Sequence, residues 1–242
     1  MRTTIAILLC ALMPVSVLVS QDLDEILENY FETTGQEEFN NVNSLKMKGK
    51  SIAQGMETDF VMYQLRPDKM KLEVDIQGAK MIQAYDGETG WFVAPWLGTT
   101  EPQILSGREL KSLQNEADFE GPLYNWKEKG HKVKLIGKSD VEGTKVYEIE
   151  LTKGTGDVFI YYIDAENYVL LKMRSLIDTG EKAIESDIYF GNYDYVEDVL
   201  FPFNMETKVD GDMVSSVSIE EVEFNAEIDP ETFSLPGSEK KE

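Results

Sequence analysis

The chain has 242 residues, with 45 Asp and Glu against 23 Lys and Arg, for a formal net charge of −22. Such an acidic chain repels nucleic-acid phosphates and anionic membrane surfaces, which argues against DNA or RNA as a partner. A single His and a single Cys leave no material for a multi-His zinc site, a cysteine cluster or a disulfide framework, while 42% hydrophobic and 10% aromatic residues are enough for a real core.

Residues 1–20 read as a secretory signal peptide. Arg2 precedes an apolar run from Ile5 to Val19, and Ser20-Gln21 opens a polar, acidic stretch. Cleavage is expected after Ser20, although Leu18 is large for the position three residues before the cut. The run is too short for a membrane-spanning helix, so no stable membrane insertion is expected. Cys10 follows Leu9, whereas an acylated lipoprotein cysteine needs a small residue before it; Cys10 is therefore read as an apolar member of the signal. The exported chain would contain no cysteine and would depend on packing alone. Residues 21–242 are expected to form a single domain, with a charged tail fraying from about residue 237.

Asp22 to Thr34 is predicted to be a helix. Leu23, Ile26, Leu27, Tyr30 and Phe31 fall on one face, Asp22 with Glu25 has capping-box spacing, and Gly35 suits the left-handed position after the last turn. Phe39 and Val42 could add a further short turn. From Ser44 the period becomes two: Met70, Leu72, Val74 and Ile76 alternate with Lys69, Lys71, Glu73 and Asp75. Turn signals such as Gln54-Gly55, Pro67-Asp68, Gln77-Gly78, Asp86-Gly87, Glu142-Gly143 and Asp210-Gly211 cut the rest into about eleven short strands, joined mainly as hairpins. The fold class is mainly β (α+β): a long antiparallel meander that must curl into a strongly bent sheet or an incomplete barrel. A helical interruption breaks it. Ser106 to Glu109 reads as a capping box ahead of Leu110 and Leu113, and Leu123 with Trp126 suggests another helical turn. Asp229 to Pro236 reads as a short terminal turn.

The chain carries little catalytic chemistry. No Gly-x-Ser-x-Gly elbow accompanies His131, which reads as a surface residue of a hairpin. Gly154-Thr155-Gly156-Asp157 lacks the Lys of a phosphate loop and leads into a strand, so it reads as a turn. The many carboxylates are mostly outer strand faces and turns, and Asp210 with Asp212 lacks the rest of a calcium loop. No metal, no cofactor and no enzymatic activity are expected. The informative features are apolar: the stretch Val158 to Ile163 is apolar on both faces, the segment Trp91 to Leu97 is rich in aromatic groups, and the 10 Met residues supply adaptable surface. Either these build an ordinary core, or a bent sheet with helices on one side leaves a concave apolar face suited to lipid.

Three stretches resemble the bacterial outer-membrane lipoprotein-sorting family, the LolA/LolB-like periplasmic carriers: Arg66-Pro67-Asp68-Lys69-Met70, the run Tyr85-Asp86-Gly87-Glu88-Thr89-Gly90-Trp91-Phe92-Val93-Ala94-Pro95, and the closing Ile228-Asp229-Pro230-Glu231-Thr232-Phe233-Ser234-Leu235-Pro236. Their order and spacing match nearly the whole exported chain. The resemblance implies an incomplete antiparallel β-barrel around an apolar cavity, with an N-terminal helix and a central helical lid. It implies a monomeric periplasmic protein that shields the acyl chains of a lipoprotein or lipid between an inner-membrane release complex and an outer-membrane acceptor. The candidate lining of cavity and lid is Phe60, Met62, Met70, Leu72, Val74, Trp91, Val93, Trp96, Leu97, Leu110, Leu113, Ile160 and Tyr162. Arg66 matches the arginine that latches the lid; the ordinary alternative is a turn residue paired with Asp68. Two other functions stay open, a lipid- or lipoprotein-sensing module of the same fold in envelope-stress signalling and a secreted hydrolase using a carboxylate pair.

Overall fold

The computed structural model describes residues 22–95, 98–178 and 183–237. The expected signal peptide, Trp96, Leu97 and the tail from Ser238 lie outside the described residues. Helices α1 (Leu23–Thr34) and α2 (Gln36–Phe39) lead into six strands: β1 (Ser44–Ala53), β2 (Met56–Leu65), β3 (Lys69–Ile76), β4 (Ala79–Tyr85), β5 (Gly90–Ala94) and β6 (Thr99–Ile104). Helix α3 (Gly107–Ala117) and an irregular covering segment, residues 118–131, follow. Seven more strands complete the sheet: β7 (Lys132–Val141), β8 (Thr144–Thr152), β9 (Val158–Asp164), β10 (Leu170–Asp178), β11 (Ala183–Val196), β12 (Val199–Val209) and β13 (Asp212–Phe224). A 3-10 turn, Pro230–Phe233, comes last.

All thirteen strands belong to one antiparallel sheet in the order β6-β5-β4-β3-β2-β1-β13-β12-β11-β10-β9-β8-β7. Every neighbour is also a sequence neighbour except β1 and β13. The chain is thus two meanders zipped together along one long-range pair, and the sheet curves into a half-barrel that does not close. The strand count exceeds the expected eleven. Thr99 to Ile104 was hidden in the sequence by Pro102, which argues against a central strand; it forms β6, which is an edge, where a missing N–H costs nothing.

The β1–β13 pairing is tight. A bulge shifts the register between Lys48 and Gly49, and a Cβ on Gly49 would stand 2.2 Å from the carbonyl oxygen of Ser218 and 2.9 Å from Ile219 Cα. Only glycine permits this approach. At the opposite end of the first helices, Asp22 accepts the Asp24 N–H at 2.7 Å and Gly35 ends α1 in the left-handed region at φ 70. Gly35 also lies under β12's entry turn, where a Cβ would meet the carbonyl oxygen of Asp198 at 2.3 Å. The expected capping box at Ser106 is not made, because no side-chain hydrogen bond caps α3. The expected turn around Leu123 is a series of hydrogen-bonded turns, closed by the His131 N–H donating to the Trp126 carbonyl at 2.8 Å.

The outer face holds much of the charge in cross-strand pairs. Examples are Lys48 with Glu221 at 2.6 Å, Glu73 with Lys80 at 3.0 Å, and a two-pronged Arg174–Asp187 pair at 2.6 and 2.8 Å, while Lys71 supports Glu73 at 2.8 Å along the same strand. The zipper makes a direct test. Gly49→Ala should destabilise the fold by about 2 kcal/mol or more, read as a lower urea midpoint, because its new methyl meets backbone that cannot step aside. An unchanged midpoint would show that the β1–β13 register has slack.

Candidate functional site

The inner face follows from strand parity. On β2 and β3, Phe60 stands opposite Val74 and Met62 opposite Leu72, while across β1 the same two residues face Gly49 and Met47. From the zipper onward Ile219, Val217, Phe203 and Met205 continue the apolar surface over β13 and β12. At one flank α3 covers it: Leu113 and Ala117 pack fully buried with Met70, Tyr85 and Leu105. Gly90 makes room for this helix, since a Cβ there would stand 2.7 Å from Leu110 Cδ1. At the other flank Tyr147, Ile149, Leu151, Tyr161 and Ile163 pack against Ile26 and Leu27 of α1 and Leu123 of the covering segment. Between the flanks, Met62, Leu72, Ile76, Met81, Phe203, Met205 and Val217 are only partly buried.

Seven of the sequence-derived candidates therefore meet on one surface: Phe60, Met62, Met70, Leu72, Val74, Leu110 and Leu113. Four do not. Pairing Ala84 with Trp91 and Ile82 with Val93 puts both β5 residues on the outer face, and Trp91 is buried there, its Nε1 donating to the carbonyl of Phe233 in the Pro230–Phe233 turn at 3.0 Å. The β5 residue of the inner cluster is Phe92. Ile160 and Tyr162 likewise face outward with Val141, Val146 and Tyr189, and Phe159, Tyr161 and Ile163 take the inner side of β9. In both strands the neighbouring residues are equally apolar, so the parity could not be chosen from the sequence. Trp96 and Leu97 lie outside the described residues.

A cavity of about 160 Å³ lies between the first two helices and β10–β12, lined by Tyr30, Phe39, Leu170, Phe190, Tyr193, Val199 and Phe201 among others. The sequence reading passed over this flank. Its signal was the alternation Val199, Phe201, Phe203, Met205, obscured by Pro202 in the middle. A cavity of this size suits a benzene-sized group, far short of a long acyl chain. The flanks of the inner surface are covered by the protein's own helices, and its middle stays partly exposed. Burial pushes the Tyr30 hydroxyl up to about 12. The Tyr161 hydroxyl, pushed up by the same burial, has no hydrogen-bond partner among the described residues.

Arg66 closes the arrangement. Its Nε donates to the Val42 carbonyl at 2.6 Å, Nη2 to the Phe39 carbonyl at 2.9 Å, and Nη1 to Glu120 Oε1 at 2.6 Å. The guanidinium also lies 4.5 Å from the centroid of the Phe119 ring, which stacks on Phe39 at 5.2 Å. One side chain thus ties together the end of α2, whose Phe39 carbonyl also accepts the Val42 N–H at 3.0 Å, the approach to β1, and the covering segment. Its ion-pair partner is Glu120, not the adjacent Asp68. Weaker ties run alongside: Asn40 Nδ2 donates to the Tyr124 hydroxyl at 2.7 Å and Gln64 Nε2 to the Glu116 carbonyl at 3.1 Å. His131 sits at the foot of the segment, its Nδ1 accepting the Gly154 N–H at 3.4 Å. Among the described residues no group of three or more His, Cys, Asp or Glu is placed to hold a metal ion, and no helix is long and apolar enough to cross a membrane.

No protein-family model matches the chain, and no curated protein matches it by sequence. Solved structures do match in fold. A LolA-superfamily protein from Nitrosomonas europaea aligns at a TM-score of 0.61 with 11% identity, over 89% of this chain and 98% of its own. A DUF1329-family protein from Desulfovibrio piger aligns at 0.59 with 11% identity, over 86% and 97%. An outer-membrane lipoprotein-sorting protein domain from Vibrio parahaemolyticus, so described provisionally, aligns at 0.58 with 12% identity, over 86% and 97%. The chain has the LolA-like fold.

Two substitutions probe the geometry. Arg66→Leu should leave the sheet folded but raise amide hydrogen exchange in residues 118–130 by about tenfold or more, since charged hydrogen bonds contribute roughly 1.5–3 kcal/mol each. Unchanged exchange would reduce Arg66 to a turn residue. Tyr161→Phe should raise thermal stability by about 1 kcal/mol, because it removes a buried hydroxyl that nothing satisfies.

Proposed function

We propose that this chain is an exported, non-enzymatic periplasmic carrier that shields the acyl chains of a lipoprotein, or of another acylated lipid, on the inner face of its half-barrel. One observation carries the reading: a continuous apolar surface runs from α3 across the zipper to α1, and the protein's own amphipathic helices cover it at both flanks. An ordinary core would be finished by such packing. Here the middle of the surface stays partly exposed, and the cover is pinned through hydrogen bonds gathered on one arginine.

The energetics suit a carrier. Each buried CH₂ contributes about 0.8 kcal/mol, so one long acyl chain supplies on the order of 10 kcal/mol. The ligand has to displace a cover that already buries the same surface. The cost of opening subtracts from the gross affinity and keeps release feasible. An inner-membrane release complex and an outer-membrane acceptor would supply the difference in each direction. The LolA-like fold and the sorting-protein neighbour support the reading. A signal peptide over residues 1–20 would account for delivery to the periplasm, with residues 21–242 acting as one unit.

Native mass spectrometry of protein isolated gently from cell envelopes should reveal acyl-bearing ligand. Met205→Glu, on the partly exposed inner face, should weaken lipid binding at least tenfold by placing a carboxylate among apolar groups. Val61→Glu, on the outer face of β2, should leave binding unchanged. Absence of lipid from the wild type, or equal effects of the two substitutions, would overturn the proposal.

A further inference from the structure

The inner face ends, at the β8–β9 hairpin, in a cluster of basic groups that an apolar ligand has no use for. Lys153 lies two residues beyond the fully buried Leu151, on the same face of the chain, and its Nζ stands 5.9 Å from the centroid of Phe159, an inner-face ring. Lys111 reaches in from α3, and Lys129 and His131 from the covering segment. Two of these cations are already matched: Lys111 Nζ meets Asp157 Oδ1 at 2.8 Å, and Lys129 Nζ meets Asp118 Oδ1 and the Gly121 carbonyl, both at 2.8 Å.

Lys153 differs. Among the described residues its ammonium makes one hydrogen bond, to a neutral amide, Asn115 Oδ1 at 2.6 Å, and no carboxylate lies within ion-pairing distance of it. Burial outweighs the pull of Asp118 and Asp157, and Lys129 and Lys111 push the same way, so its pKa is held below the ordinary lysine range. His131 is held low as well, by burial and then by Lys153 and Lys129. In a chain of net charge −22, this corner gathers three lysines at the edge of an apolar surface; Asp157 pairs with Lys111, Asp118 and, at 3.9 Å, Glu120 pair with Lys129, and Lys153 is the one without a carboxylate partner among the described residues.

We propose that Lys153, flanked by Lys111, Lys129 and His131, is an anion subsite that takes the phosphate or carboxylate of a ligand whose acyl chain lies along the inner face. The inference rests on the acyl-chain reading and adds the ligand's polar group to it. The amide of Asn115 belongs to α3, part of the cover that must move for an acyl chain to enter. Opening strips the Lys153 ammonium of its hydrogen bond to Asn115 and leaves it half-buried. An anionic oxygen replaces the amide oxygen and makes the stronger, charge-assisted bond. A neutral ester gains nothing equivalent. Asp118 and Asp157 stand close enough to oppose an anion, but Lys129 and Lys111 already neutralise them.

Calorimetric titration of delipidated protein with oleate, oleoyl-lysophosphatidate and monoolein tests this, at an ionic strength of about 0.15 M. The wild type should bind the anions about tenfold more tightly than monoolein. Preference for oleate alone assigns a carboxylate site, and preference for lysophosphatidate alone a phosphate site. Lys153→Gln should bring the anions down to the level of monoolein and leave monoolein unchanged, while Lys153→Arg should keep the preference. Equal binding of all three by the wild type, or an equal loss for all three in Lys153→Gln, would overturn the subsite while leaving the acyl-chain reading standing. No binding of any of them would overturn both.

Discussion

A single-layer sheet has two faces and no second sheet to hide either. In this chain that constraint governs the rest. One face can be made polar, and it is, through cross-strand pairs such as Lys48–Glu221 and Arg174–Asp187. The other must be apolar for thirteen strands to hold a common curvature, and it then needs a cover. The chain supplies one from each side of the first meander: α1 and α2 before β1, and α3 with residues 118–131 after β6. The zipper between β1 and β13 matters because it joins the two meanders into one continuous inner surface. Without it each would present a separate, smaller face.

A cover made of helices differs from a second sheet in one respect. It is attached by few backbone hydrogen bonds to the strands, so it is held by side chains and can leave. The polar ties concentrate where the covering pieces converge, around Arg66, whose guanidinium binds α2, the approach to β1 and residue 120 through a single group. Phe39, Phe119 and Phe224 form the apolar counterpart, with ring centroids 5.2 and 5.9 Å from Phe39. On the carrier reading proposed above, so localised a fastening would let ligand replace the cover on the same surface at modest cost.

The sequence made the class of fold legible because its periodicities are clean where only one face is buried. Met70, Leu72 and Val74 alternate with charged residues, and all three lie on the inner surface. The reading failed where both faces are apolar. Trp91-Phe92-Val93 and Phe159 to Ile163 give no parity signal, because the outer face at those points is not solvent: Trp91 is buried and bonded to the Phe233 carbonyl, and Lys172, 8% exposed, lies 4.1 Å from the centroid of the Tyr162 ring. Tertiary cover, absent from any local window, decided which residues line the site. The cavity beside Tyr30 was missed for a related reason, since it is made by two helices and strands some 130 residues or more apart in the sequence. Arg66 could be singled out by its place in a motif, but its partners could not. Glu120 and the carbonyls of Phe39 and Val42 are brought together only by the fold.

An unclosed barrel also leaves two edges, and an apolar inner face next to an open edge invites association. Both edges are blunted. β6 carries Pro102, which cannot donate to an incoming strand. On β7 a bulge between Leu135 and Gly137 breaks the run of unpaired groups, and Lys132, Lys134 and Lys138 are exposed along it. The net charge of −22 adds repulsion between whole copies. Acidity therefore does more than exclude nucleic acid. It opposes association of copies through a Met-rich apolar groove that is partly exposed, and it disfavours adsorption to anionic membrane surfaces. The same charge repels an anionic ligand at long range, which sets a requirement for any anion-recognising corner. Such a corner must act at contact distance and out of bulk water, as a half-buried lysine at the edge of the groove can and a surface lysine screened by salt cannot.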